Sequence, residues 1–324
     1  MDIWVHLYRW LDHSDQDMTF SPFTTKPVSI ELAVDMGVLR GLRWSNGAGV
    51  PVLAIHGWLD NAASFAKVAP LLPDLDLVSI DLPGHGHSDH YAPGMHYHFI
   101  DYVPVMLAAI SRLNWSSCLI LGHSLGAAIA SCMAAVAPDL VRGLFLIDGL
   151  GPYSKDVDLT PDLLRRLIHN SRERPKSATT VYDSLQVMVT ARQRAGKIDQ
   201  EGAELLVSRN AVFVDNVYRW RTDRRLLLPS PQPMTELQVL AFLGAIRAPT
   251  TLVVASDGLL KSRPETPNRI SAFRAIDVLE IEGGHHLHLD NSQVIAEAVS
   301  RFAGNITQQK DVESSPEDHE LIVG

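Results

Sequence analysis

The stretch Gly122-His123-Ser124-Leu125-Gly126 joins the apolar run CLIL to the small-residue run LGAAIAS. A serine so placed either caps a helix or acts as a nucleophile. A cap has no need of glycine on both sides. A nucleophile at a sharp strand-to-helix turn does, because the glycines permit a strained backbone and close approach of neighbouring elements, leaving the hydroxyl exposed at the tip. A helix beginning at Leu125 also offers unpaired N–H groups and a partial positive charge to a developing oxyanion. Ser124 is therefore the candidate nucleophile, and the Leu125 amide one oxyanion donor.

A serine hydroxyl at neutral pH needs a base within hydrogen-bond reach. In a strand-turn-helix site of this kind the chain order is Ser, acid, His. The late segment EGGHHLHLD offers His285, His286 and His288. His285 follows Gly283-Gly284, whose freedom allows a tight loop that aims the ring back over the strand ends. It is the expected base, and His286 and His288 are read as packing or supporting residues.

The base in turn needs a carboxylate to fix its tautomer and stabilise the imidazolium. Asp257 in VVASDGLL has the usual chain order and is the expected acid. Asp148 in LFLIDGLGP ends a neighbouring strand and is the alternative, its other reading being a turn residue that orders a Gly-rich loop. AIHGWLDN supplies the second oxyanion donor: Gly57 frees the backbone, and the Trp58 N–H could meet the same point as the Leu125 N–H. The Trp58 ring could equally be a core group. Asp60 and Asn61 either hydrogen-bond this loop in place or cap the next helix. Five histidines between His85 and His98 invite a metal reading, but they occupy a Gly/Pro turn without cysteine, so no metal site is assigned there. Asp81, Gly84 and Gly86 read better as a turn closing one rim of a pocket.

These residues need a frame, and the apolar patterning supplies one. VSIELAV and VLRGLRW alternate about a turn at 35–37, as an antiparallel pair would. Apolar strands and helices then take turns: VPVLAIHG, a helix over Ala62 to Leu72, LDLVSIDL, a helix over Phe99 to Leu113, SCLILGHS, a helix over Leu125 to Val136, and VRGLFLIDGL. Short apolar runs separated by helices imply a parallel sheet covered on both faces, with right-handed crossovers. The alternation stops at Gly151. Residues 152–240 form a mostly helical insertion carrying 14 Lys/Arg against 11 Asp/Glu in a chain of net charge −9. The predicted helices there span Pro161 to His169, Val181 to Arg194 and Gln200 to Ser208. Sheet pattern resumes at TTLVVAS, followed by a helix near Glu265 to Phe273, the strand IDVLEIEGG and a helix over Ser292 to Phe302. The core is thus residues 28–151 and 241–303, with a polar, acidic tail at 304–324 expected to be disordered.

With 324 residues, 46% of them hydrophobic and 20% charged, the chain can build one sizeable core. Its acidic balance gives no basic face for nucleic acid. The two cysteines, Cys118 and Cys132, sit in apolar and helical runs and read as small core residues, which suits a reducing, cytoplasmic setting. No run reaches the roughly 18 apolar residues of a membrane span. Residues 1–27 read as an N-terminal extension. Ile3, Trp4, Leu7, Tyr8 and Leu11 share a helical face that could pack on its own domain or dock on a partner or membrane surface, and Met18 is an alternative start.

Taken in order, HGWLDN, DLPGHGHS, GHSLG, LIDGLGP and GGHHLHLD resemble the α/β-hydrolase superfamily, and HGWLDNAASF with GMHYHF resembles its serine hydrolase-like group. The resemblance spans about residues 28–303. It implies an α/β-hydrolase fold: an eight-stranded, mostly parallel sheet with a helical cap inserted between strands 6 and 7 and a pocket between cap and core. It also implies Ser124 as nucleophile, His285 as base, and the Trp58 and Leu125 amides as oxyanion hole. The short ASDGLL loop departs from the longer loop that often carries the acid in the family, which keeps Asp148 in contention. A serine at the nucleophile position excludes the alkyl-aspartyl chemistry of haloalkane dehalogenases and epoxide hydrolases. The expected activity is carboxylic ester hydrolysis on a small molecule, with no cofactor. The same machinery serves thioesters, lactones or carbon–carbon bonds, and a non-catalytic binding protein on this fold is the reading from a different class. Tyr153, Phe213, Tyr218 and Trp220 suggest an apolar substrate pocket under the cap.

Overall fold

The computed structural model describes residues 26–45, 47–173, 180–230 and 232–314. The amphipathic N-terminal stretch therefore lies outside the described residues. Eight strands form one sheet in the order β1-β2-β4-β3-β5-β6-β9-β10. These are β1 (Val28–Val34), β2 (Gly37–Trp44), β3 (Val50–Ile55), β4 (Leu75–Ile80), β5 (Cys118–His123), β6 (Val141–Ile147), β9 (Thr250–Asp257) and β10 (Ile276–Gly284). Only β2 runs against its neighbours β1 and β4; β4, β3, β5, β6, β9 and β10 are mutually parallel. Every residue of β4 and β5 is buried. Both sheet faces are covered there, which is why these strands read as unbroken apolar runs rather than alternating ones.

One apolar cluster lies between the sheet and α1 (Tyr102–Arg112), α2 (Leu125–Val136) and α6 (Glu236–Ala245), and includes Met106, Ile110, Ile129, Met133, Val239 and Leu243. A second, on the opposite face, joins Phe65, Phe145 and Leu121 to Ile295, Val299 and Phe302 of α9 (Ser292–Ser314). Two helices differ from expectation. Ala62 to Leu72 forms two short 3₁₀ turns, Ala62–Phe65 and Ala69–Leu71, where Pro70 removes a backbone donor. The last helix continues to Ser314, so the first part of the expected disordered tail is helical.

The insertion between β6 and β9 holds α3 (Thr160–Glu173), α4 (Leu185–Gly196) and α5 (Gln200–Asn210). It also holds a two-stranded hairpin of β7 (Ala211–Val214) and β8 (Val217–Trp220), turned by Asp215 and Asn216 at φ 55° and 60°. Left-handed Asp-Asn is the chemistry of a tight hairpin, a signal overlooked when the segment is read as helical. The expected boundary at residue 240 falls inside α6, whose Val239 and Leu243 belong to the main core. The cap has its own small cluster of Met188, Val189, Ile198, Leu206 and Val207, which also takes in Leu289 from α8 (Leu287–Asp290). Tyr218 and Trp220 pack against this cluster, while Phe213, whose ring centroid lies 4.8 Å from that of Tyr218, and Tyr153 are exposed.

Two buried ion pairs fasten cap to core. Arg209 of α5 bonds both carboxylate oxygens of Asp81 at 3.0 Å, and Arg192 of α4 bonds Asp60. Asp81 also accepts from the amides of Ala62 and His87, so it secures the loops after β3 and β4 as well. Arg269 of α7 (Thr266–Ser271), 1% exposed, donates to the carbonyls of Leu150 and Pro152 and pairs with Glu236, fixing the chain where it leaves the core for the insertion.

Candidate active site

Ser124 stands between β5 and α2 at φ 51° and ψ −110°. L-residues avoid this region, and holding one there costs about 1–3 kcal/mol. The turn is held by the Ser124 amide, which donates to the Ile147 carbonyl at 3.0 Å. Its glycines act through space: a side chain at Gly126 would lie 1.9 Å from the Ile55 carbonyl oxygen, and one at Gly122 would meet the backbone of Ala127 at 2.7 Å. Ser124 occupies the N-cap position of α2, yet its hydroxyl makes no capping bond. The hydroxyl is left for something else.

His285 follows β10, and its Nδ1 lies 2.6 Å from Oδ2 of Asp148. A carboxylate only accepts, so Nδ1 carries the proton and Nε2 is left with its lone pair. Asp148 is 1% exposed and its backbone is left-handed at φ 41°. Its amide donates to the Val253 carbonyl, and its carboxylate accepts from the Leu259 amide at 2.7 Å.

This corrects the expectation for the acid. Asp257 is exposed at the end of β9, opposite Gly284 in register, while Asp148 makes the bond to His285. The reason is strand order: β9 lies between β6, which delivers Asp148, and β10, which delivers His285. Asp148 reaches across the end of β9 because the next residue there is Gly258, where a Cβ would sit 2.4 Å from Oδ2 of Asp148.

The loop after β3 is set by His56, whose Nδ1 lies 2.7 Å from the Gly57 carbonyl and whose Nε2 accepts from the Leu82 amide at 3.0 Å. The Trp58 ring is 52% exposed, so it is not a core group; its Nε1 donates to the Leu226 carbonyl of the insertion at 3.3 Å. The next residue, Leu59, takes a left-handed φ of 64°. Asn61 caps the following 3₁₀ turn by accepting from the Ala63 amide and ties to the cap through the Leu206 carbonyl.

Asp60 does neither of the two things expected of it. Fully buried, it pairs with Arg192 and faces His123 and His286. Burial pushes its carboxyl pKa up, but the Arg192 charge and the His286 contact outweigh this and hold it well below the usual carboxylate range. His123 is missed by sequence reasoning because, inside the serine motif, it reads as a spacer. Its Nε2 lies 3.0 Å from the His285 carbonyl, and burial holds its pKa well below 6.5, in the neutral form. His288 is buried against Ser64, with Nε2 and Oγ 2.7 Å apart, and burial likewise lowers it, to about 3.

The turn expected to close one rim of the pocket is buried. Asp81 and His85 are fully covered, and Gly86, at φ 49°, leaves no room for a side chain beside the Asp81 carboxylate.

A strained serine between strand and helix, a buried aspartate paired with a part-exposed histidine across three parallel strands and an insertion after the sixth strand define an α/β hydrolase. The α/β-hydrolase fold family model matches residues 50–292, and the chain belongs to this family. Within it, the chain belongs to the serine hydrolase-like group. It is 30% identical over 301 residues to a serine hydrolase-like protein of Danio rerio, covering 88% of this chain and 92% of that one. It is also 29% identical over 288 residues to an esterase of Mycobacterium tuberculosis, covering 82% and 86% of the two chains. The crystal structure of a hypothetical protein from Pseudomonas aeruginosa PAO1 superposes with a TM-score of 0.81 at 37% identity, over 86% of this chain and 99% of that one. Among the described residues no helix is long and apolar enough to cross a membrane.

Proposed function

We propose that this hydrolase cleaves carboxylic esters of small molecules through an acyl-enzyme on Ser124. His285 Nε2 takes the Ser124 proton as Oγ attacks the ester carbonyl, and the Trp58 and Leu125 amides hold the oxyanion. The alcohol leaves with the proton from His285. Water, deprotonated by the same nitrogen, then attacks the acyl carbonyl and releases the acid and the free serine. Asp148 keeps Nδ1 protonated and stabilises the imidazolium. The observation that carries this reading is the 2.6 Å bond between His285 Nδ1 and Asp148 Oδ2, which leaves the Nε2 lone pair on a ring 4.7 Å from that of His123, the residue before the strained, uncapped serine. Kinship to an esterase supports the ester class over other acyl compounds.

The test is a panel of p-nitrophenyl esters together with a fluorophosphonate probe. Turnover and labelling that both disappear in Ser124→Ala are expected. A folded protein that neither reacts with the probe nor loses turnover on that substitution overturns the proposal.

A further inference from the structure

Behind the serine turn lies a cluster that the ester mechanism does not use. Asp60 Oδ2 is 3.7 Å from His123 Nδ1 and 3.5 Å from His286 Nε2, and the three atoms all lie within 4.8 Å of one another. Asp60 and His123 are 0% exposed and His286 is 8% exposed. Neither Asp60 Oδ2 nor His123 Nδ1 has a hydrogen-bond partner.

The protons can be assigned from the partners. His123 Nε2 meets a carbonyl, which only accepts, so it bears the proton and Nδ1 presents a lone pair. His286 Nε2 lies 3.4 Å from Arg192 Nη2. A guanidinium only donates and the Asp60 carboxylate, 3.5 Å away, only accepts, so that nitrogen presents a lone pair in the tautomer that receives the Arg192 proton. Two buried acceptors, Asp60 Oδ2 and His123 Nδ1, thus face one another with no donor between them, Arg192 being engaged instead with Asp60 Oδ1 and His286 Nε2. Leaving such groups unsatisfied is costly, and the arrangement calls for a positive centre.

The donor set selects its kind. Two neutral imidazoles and a carboxylate suit zinc and its transition-metal neighbours rather than magnesium or calcium, which prefer all-oxygen shells. Bonds of about 2.0–2.1 Å at tetrahedral angles separate ligand atoms by about 3.4 Å. The two Asp60 distances, 3.5 and 3.7 Å, lie near this, and all three atoms stay within 4.8 Å of one another.

We propose that Asp60 Oδ2, His123 Nδ1 and His286 Nε2 bind one divalent transition-metal ion of the zinc type, with an open fourth position for water. Arg192 competes with it. Its guanidinium holds Asp60 Oδ1 and contacts His286, so a metal ion must share the carboxylate with a nearby positive charge. Because Arg192 belongs to cap helix α4 while the ligands belong to the core, metal binding and cap closure oppose each other.

The test uses the full chain stripped with a chelator and titrated calorimetrically with zinc chloride. One equivalent of zinc is expected to bind, at least tenfold more weakly in His286→Gln and in Asp60→Asn. In Arg192→Met, which retains all three ligands, it should bind several-fold more tightly. His285→Ala and His96→Gln should leave zinc affinity unchanged. Cobalt(II) bound to the wild-type chain should give hyperfine-shifted N–H proton signals from two imidazoles, a readout that does not depend on any variant folding. Failure of the wild-type chain to bind zinc at micromolar concentration, a site lost in His285→Ala, or unchanged affinity in folded His286→Gln overturns the assignment. Since the readout is metal binding rather than turnover, its failure leaves the esterase proposal untouched, and the converse also holds.

Discussion

His285 and Asp148, 137 positions apart in the chain, meet at 2.6 Å across the end of an intervening strand. If Asp148 is the acid, Asp148→Asn leaves the geometry in place but presents an amide N–H where a carboxylate is needed, favouring the wrong imidazole tautomer. The expected loss in kcat is about 10⁴-fold. Asp257→Asn, at an exposed position, should stay within about twofold of wild type. Steady-state kinetics on one p-nitrophenyl ester compare the two directly, and the reverse ranking would return the role to Asp257.

Gly258 is the gap through which Asp148 passes. In Gly258→Ala the methyl group would start 2.4–2.6 Å from three atoms of that carboxylate, so one of the two must move. A stability loss of about 1–3 kcal/mol in urea unfolding is expected. A fall in kcat with KM nearly unchanged should accompany it, because the displaced group orients the base rather than the substrate.

Backbone strain at Ser124 gives a prediction of the opposite sign for stability. Ser124→Gly removes the penalty of φ 51° and should gain up to about 1–2 kcal/mol, seen as a raised Tm, while abolishing turnover and probe labelling. Ser124→Ala keeps a Cβ in the same conformation and should not show the gain. Equal Tm values for the two variants would count against strain at this position.

The fold should weaken in mild acid through His56 and His85. Both are fully buried and neutral; burial foremost lowers each, His85 to about 3, with the neighbouring His56 adding to the depression. The unfolded chain takes up these protons near pH 6.5, whereas the folded His85 does not until about pH 3. Its contribution is therefore fully present above pH 6.5 and is lost as pH falls through that window, at about 1.4 kcal/mol per pH unit for one proton. Urea midpoints at pH 7, 6 and 5 should fall accordingly, and His85→Gln should flatten the slope.

Arg209→Met strips the buried Asp81 of its ionic partner while retaining most of the side-chain volume. Breaking a buried pair from one side costs about 3–5 kcal/mol, since the remaining charge is left without compensation. Two amide bonds to Asp81 persist, so a value near the lower end is expected from chemical denaturation. Limited proteolysis should cut first within the cap, which loses one of the two ion pairs, Arg209–Asp81 and Arg192–Asp60, that tie it to the core.

Much of this could be read from local pattern. The eight-stranded, mostly parallel sheet follows from short apolar runs alternating with helices, because burial on both faces removes the polar residues that would otherwise interrupt them. The turn at Ser124 follows from five consecutive residues, and the position of His285 from two glycines directly after a strand. The hairpin over Ala211–Trp220 was equally local, in Asp215-Asn216, but was masked by the helical character of its surroundings.

What stayed hidden depends on neighbours in space. Whether Asp148 or Asp257 meets His285 turns on β9 lying between β6 and β10 and on an empty Cβ position at Gly258, and neither is a property of either aspartate's own segment. The Asp60–His123–His286 cluster draws one residue from each of three strand ends, with Arg192 arriving from the cap. By itself the sequence determined the class of fold and which serine and histidine stand at its strand ends, since those follow from periodicity and short-range backbone chemistry. Only the tertiary structure decided which carboxylate reaches the histidine and which buried groups face one another unpartnered, because electrostatic pairing depends on distance through space and not along the chain.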